Sequence, residues 1–63
     1  MINESQVCIG NKFIGNVNHE IFEIVNIIND NGVVYVVIED GKKKRIYVAM
    51  ERFKHLLVTQ IEN

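Results

Sequence analysis

Lys42-Lys43-Lys44-Arg45 is the only run of charge in the chain, and Tyr47 follows two residues later. On an extended backbone successive side chains alternate, so Lys43, Arg45 and Tyr47 share one face while Lys42 and Lys44 take the other. Cations beside an aromatic ring that can stack on a base are a combination small β-domains use on single-stranded nucleic acid. With Lys12 as a further cation, Lys43, Arg45 and Tyr47 form a candidate nucleic-acid-binding set. Two features oppose it. Glu39 and Asp40 lie across the same turn, and an opposite-sign cross-strand pair contributes about 0.2–1 kcal/mol while diluting the field a phosphate would feel. Lysines next to a very apolar strand also serve to discourage edge-to-edge association, which is the stronger of the two explanations.

A second set is apolar. Ala49, Met50, Phe53, Leu56 and Leu57 recur at helical spacing, with Glu51, Arg52 and Lys54 opposite, which predicts one or two helical turns. Met50, Phe53, Leu56 and Leu57 are therefore the candidate protein-interaction surface.

Other chemistry is sparse. His19, His55 and Cys8 match no metal-ligand spacing, and Glu51 and His55, four apart, are explained as an exposed helical pair. Cys8 reads as a small apolar residue, and as the only cysteine it excludes an intramolecular disulfide. Gly10 and Gly15 bracket Phe13 without preceding a helix, so they form no phosphate cradle. No nucleophile stands with a base, and no carboxylates are paired for acid–base work. The expectation is a non-enzymatic chain with no metal, no cofactor and no small-molecule substrate.

The elements that would position these residues are strands. Asn31-Gly32 and Asp40-Gly41 separate runs of β-branched and aromatic residues, and such dipeptides suit the two-residue hairpin turn in which both central residues take φ > 0. Strands are expected at Gly10–Gly15, with Val7 and Ile9 as an extension, then at Glu20–Ile28, Val33–Glu39, Lys42–Ala49 and Leu57–Ile61. Glu20–Ile28 carries apolar groups on both parities, which fits a long strand bent at a bulge. Two-residue turns would set Ile28 opposite Tyr35, Tyr35 opposite Ile46, Val34 opposite Tyr47, Val36 opposite Arg45 and Glu39 opposite Lys42. Apolar side chains then line both faces of the sheet, so something must cover the second one. The expected core is Phe13, Phe22, Ile24 or Val25, Ile27, Val34, Val36, Ile46, Val48, Phe53 and Leu57.

Composition limits the rest. In 63 residues, 7 Lys and Arg against 8 Asp and Glu give a formal net charge of -1, which disfavours a broadly basic nucleic-acid binder and does little to oppose self-association. The longest apolar run, Val33–Ile38, falls far short of the roughly 20 residues a membrane-spanning helix needs. Residues 1–6 read as a polar, frayed leader without the pattern of a signal peptide, and residues 7–63 as a single domain. No membrane association is expected, and a cytoplasmic setting is.

The succession Gly10-x-x-Phe13, Phe22-Glu23-Ile24-Val25-x-Ile27, a Val-rich strand, then Ile46–Ala49 followed by Glu51-x-Phe53 is similar to small uncharacterised proteins of phages and integrative elements of Gram-positive bacteria, over roughly residues 10–58. The resemblance implies a small five-stranded antiparallel Src-homology-3-like barrel with a short C-terminal helix and a mobile-element origin; it carries no functional residue with it. The expected role is a protein-interaction module that binds a protein partner or a second copy of itself, the alternative being a nucleic-acid-binding accessory protein.

Overall fold

The computed structural model describes residues 2–61. The protein is mainly β, with five antiparallel strands in one sheet and one short helix. The elements are β1 Lys12–Gly15, β2 Ile21–Asp30, β3 Val33–Asp40, β4 Arg45–Ala49, α1 Met50–Phe53 and β5 Val58–Ile61. Strand order is β4-β3-β2-β1-β5. Each of β1 to β4 pairs with its sequence neighbour, whereas β5 crosses over to lie beside β1. β4 and β5 are thus the two edges, and the sheet is not closed.

The two hairpins differ. Asp30 pairs with Val33 across Asn31 and Gly32, whose φ values are 53° and 85°, so this turn has the left-handed pair that Asn-Gly favours. Ile28 stands opposite Tyr35 as expected. Asp40-Gly41 closes otherwise. The Asp40 carboxylate accepts hydrogen bonds from the backbone N–H of Lys42 at 2.8 Å and of Lys44 at 3.0 Å, and Asp40 N–H donates to the Lys44 carbonyl. Lys43, not Gly41, takes the left-handed conformation, at φ 62°. Gly41 to Lys43 therefore form a three-residue loop, and β4 starts at Arg45 instead of Lys42.

The longer loop corrects the pairing of β3 with β4. Tyr35 faces Ala49, Val36 faces Val48, Val37 faces Tyr47, Ile38 faces Ile46 and Glu39 faces Arg45. This register is offset by an odd number of residues from that of a two-residue turn, so it exchanges the faces of β4. On β2 the pairing shifts between Ile24 and Asn26, leaving Val25 and Asn26 together opposite Val37. The bulge expected in this strand is present, and it lets Phe22 and Ile24 before it, and Ile27 after it, point to the same side.

That side holds the core. Phe13, Ile24, Val36 and Phe53 are fully buried there, joined by Ile38, Ile2 and Val7, with Phe22, Val48, Met50, Leu56 and Val58 packed around them. The three phenylalanines form one cluster: Phe13 stacks on Phe22 at 5.6 Å between ring centres, and Phe53 meets both edge-on at 5.8 and 6.2 Å. Three expected core residues are not buried: Leu57 is 69% exposed, Ile46 45% and Ile27 36%. α1 is a single turn that ends before Leu57, and Ile46 lies on an edge strand with no neighbour outside it. Val34 and Val25 are half-buried.

The first described residues are docked, in contrast to the frayed leader expected of them. Ile2 is buried and donates its N–H to the Lys54 carbonyl at 3.1 Å. Glu4–Gln6 form a 3-10 turn, Gln6 Nε2 donates to Gln60 Oε1, and the Asn11 amide donates to the Gln6 carbonyl. The segment covers the core that α1, one turn long, leaves open. Val7 therefore contributes as a core residue before β1, and Ile9, 62% exposed, belongs to neither.

Val37 shows that both sheet faces are in use. It is 1% exposed, yet it alternates with Val36 and Ile38 and so lies on the face away from the phenylalanines. Tyr47 on one side and the bulge residues on the other enclose it. Among the described residues no helix is long and apolar enough to cross a membrane.

Candidate interaction surfaces

The basic residues are placed by the β3–β4 turn. Lys42 and Lys43 belong to the loop, Lys44 directly follows it, and all three are exposed, so Lys43 does not share a strand face with Arg45 and Tyr47 as expected. Arg45 and Tyr47 do share one, the face away from the core. Lys12 lies on that same face, in the register row Lys12–Glu23–Glu39–Arg45 that runs across β1, β2, β3 and β4. With strand spacings of about 4.8 Å, the two cations stand roughly 14 Å apart along the sheet. Two carboxylates lie between them.

The row is electrically neutral. Arg45 Nε donates to Glu39 Oε2 at 3.1 Å, and Lys12 stands directly opposite Glu23. A phosphate approaching Arg45 or Lys12 would meet an acidic neighbour on the adjacent strand, and at this separation the attraction and repulsion nearly cancel. The structure brings Lys12, Arg45 and Tyr47 onto one face and balances their charge there.

The candidate apolar surface is divided. Phe53 is fully buried at the centre of the core, and so is not available to a partner. Met50 and Leu56 are half-buried against the same core. Leu57 is exposed, and it borders a groove of about 460 Å3 between the β1–β2 loop and the segment leading into β5. Phe22, Ile38, Leu56 and Val58 form its floor, while Val17 and Leu57 stand at its rim. Val17 is 78% exposed and was not a candidate in the sequence, where it is hidden between asparagines in a polar loop. The signal was an isolated branched apolar side chain in a turn that has no use for one.

Hydrogen bonds on both sides hold the loop that carries Val17. His19 N–H donates to the Gly15 carbonyl and Gly15 N–H to the Glu20 carbonyl, with Asn18 Oδ1 accepting from Glu20 N–H. Asn18 Oδ1 occupies the space that a side chain at Gly15 would fill. On the far side, Asn16 N–H donates to the Leu57 carbonyl and Thr59 Oγ1 to Asn16 Oδ1. Both walls of the groove are thereby tied to each other.

The other chemistry-bearing residues do not converge. Cys8 is exposed, its thiol 3.6 Å from the Ser5 carbonyl, and among the described residues no three His, Cys, Asp or Glu side chains form a metal-holding group. Glu4 and Lys54 make an ion pair at 2.8 Å. The hydrogen bond from Lys54, then its charge, hold the Glu4 carboxyl below the usual carboxylate value, and the hydrogen bond to Glu4 holds Lys54 above the usual lysine value. This pair fastens the first 3-10 turn to the end of α1. Compared with known protein families, curated proteins and solved structures, the chain matches none.

Proposed function

We propose that this chain is a non-enzymatic protein-interaction module, a partly open Src-homology-3-like barrel that grips an apolar segment of a protein partner in the groove between Val17 and Leu57. The observation that carries the reading is the exposure of these two side chains, 78% and 69%, on opposite rims of a concavity floored by the core. Burying apolar area contributes about 25 cal/mol per Å2, and both residues leave most of theirs in water. The resemblance to proteins of phages and integrative elements is the support for assigning the module to a mobile element acting in the cytoplasm.

The nucleic-acid reading has less support, because the row that contains Lys12 and Arg45 is neutral and Lys43 lies apart from it. Its test is binding of single-stranded and duplex DNA or RNA across a salt series, where counterion release requires a steep fall in affinity with salt.

For the interaction reading, Val17→Asp/Leu57→Asp is compared with the wild type in capture from host extract and in sedimentation over a concentration series. A protein held by the wild type and lost by a variant with an unchanged circular dichroism spectrum supports the groove. Equal capture by both removes it. Concentration-dependent dimerisation abolished by the same substitutions would instead make the occupant a second copy.

A further inference from the structure

The face away from the core carries a second feature, distinct from the groove. Asp30 pairs with Val33, Ile28 with Tyr35, Tyr35 with Ala49 and Val37 with Tyr47, so Asp30, Ile28, Tyr35 and Tyr47 all stand on one side of the β2–β3–β4 meander. Tyr35 and Tyr47 are diagonal neighbours on adjacent strands. Neither enters an aromatic stack among the described residues, where the paired rings are all phenylalanine. Both line a cavity of about 450 Å3, together with Ile28, Asn29 and Asp30.

The lining is complementary to one kind of group. Two phenol rings line the cavity, and the electron-rich face of such a ring attracts a cation within about 6 Å of the ring centre. Asp30 is the one carboxylate in the lining, and it has no ion-pair partner among the described residues. No lysine or arginine lines the cavity; Arg45, two residues before Tyr47, is engaged by Glu39, and Arg52 lines a neighbouring pocket that shares both tyrosines. Asn29 Oδ1 is occupied by the N–H of Gly32, which fixes the wall beside Asp30. A flat, delocalised cation that stacks on a ring while donating two parallel hydrogen bonds to a carboxylate meets all of these conditions, and among protein side chains that is the guanidinium.

We infer that the cleft lined by Asp30, Tyr35 and Tyr47 is a binding site for an arginine side chain of a protein partner, with Asp30 as its counter-ion. The site does not depend on the Val17–Leu57 groove.

The chain supplies its own probe. It has no tryptophan and only two tyrosines, both in this cleft, so all of its tyrosine fluorescence reports on the site. The intact chain is titrated with a blocked glycine pentapeptide carrying a central arginine, and with the same peptide carrying citrulline, which keeps the shape and loses the charge. The expected result is a saturable change in tyrosine emission with arginine and none with citrulline. Asp30→Asn should weaken arginine binding roughly tenfold, the loss of one charge-assisted hydrogen bond. Tyr47→Leu, which retains apolar bulk on an exposed strand position, should abolish it, read by backbone amide shifts of residues 28–30. Equal responses to arginine and citrulline, or unchanged affinity in Asp30→Asn, overturn the inference. A stronger saturable response to a single-stranded oligonucleotide than to the arginine peptide also overturns it, by making the cleft a base-stacking site.

Discussion

The β2–β3 and β3–β4 hairpins both turn on a dipeptide ending in glycine, yet they are closed by different parts of the chain. In the first, backbone conformation sets the turn: Asn31 and Gly32 both adopt positive φ and the strands continue without interruption, with the Asn29 side chain adding one hydrogen bond from Gly32 N–H. In the second, a side chain does it. The Asp40 carboxylate gathers the N–H groups of Lys42 and Lys44, the loop lengthens by a residue, and the left-handed position passes from glycine to Lys43. The difference teaches that the acidic member of an Asp-Gly pair can act as a hydrogen-bond acceptor rather than as a conformer. The consequence extends beyond the turn, because the loop length decides which side chains of β4 meet the core and which stand beside Tyr35.

The contrast can be broken most directly at the two glycines. Gly32→Val places a β-branched side chain at φ 85° and should lower stability by about 2 kcal/mol, whereas Gly41→Val, with open space around it and no positive φ, should change stability by less than about 0.5 kcal/mol. Equal urea midpoints for the two variants would show that the turns are not held differently. Next in size is Asp40→Ala, expected to remove about 1 kcal/mol through the lost acceptor and to speed amide exchange at Lys42 and Lys44. Asp40→Asn keeps an acceptor oxygen and should retain most of the stability; if it behaves like alanine, the carboxylate is not acting by geometry. Lys43→Gly should raise stability by about 0.5 kcal/mol, less than the strain of a left-handed lysine because glycine also gains freedom in the unfolded chain. For a domain of this size that is a rise in Tm of roughly 2–4 °C.

The smallest effect lies outside both hairpins and serves as their control. Glu4 has a depressed folded pKa, so its pairing with Lys54 stabilises the protein above the ordinary carboxylate range and that contribution disappears as pH falls through the lower folded value. Lys54 is raised, so its share is present below the ordinary lysine value and is lost as pH climbs through the folded one. The stability difference between wild type and Glu4→Gln should therefore be measurable at neutral pH, vanish in strong acid, and shrink in high salt because Glu4 is exposed. A difference that persists in acid would mean that Glu4 acts through something other than its charge.

Much of the sheet was legible because its signals are local. Asn31-Gly32 fixes a turn by its own backbone preference, and apolar residues on both parities of Glu20–Ile28 announced the bulge at Val25. The β3–β4 register was not legible, since the dipeptide is equally compatible with a two-residue loop and with the carboxylate-closed one, and choosing between them requires knowing where the N–H groups of Lys42 and Lys44 point. Helical spacing grouped Phe53 with Leu57, but a helix of one turn ends between them, and their fates separate into core and rim. Ile2 escaped notice because its burial depends on α1 being too short to cover the core alone, a property of the assembled fold. Of the candidate set, Arg45 and Tyr47 share a face as expected, Lys43 lies in the loop instead of with them, and the carboxylates that neutralise the face come from two other strands.

The crossover of β5 onto β1 has a consequence for the order in which the molecule is made. Lys12 pairs with Ile61, so this ladder joins opposite ends of the described chain, whereas the β2–β3–β4 meander is built from contacts across short loops. Closing a long loop costs more entropy than closing a short one and is repaid only after the distant strands meet. The meander, and with it the tyrosine cleft, is therefore expected to form early, while Phe13 and the groove beside Leu57 wait for the last strand.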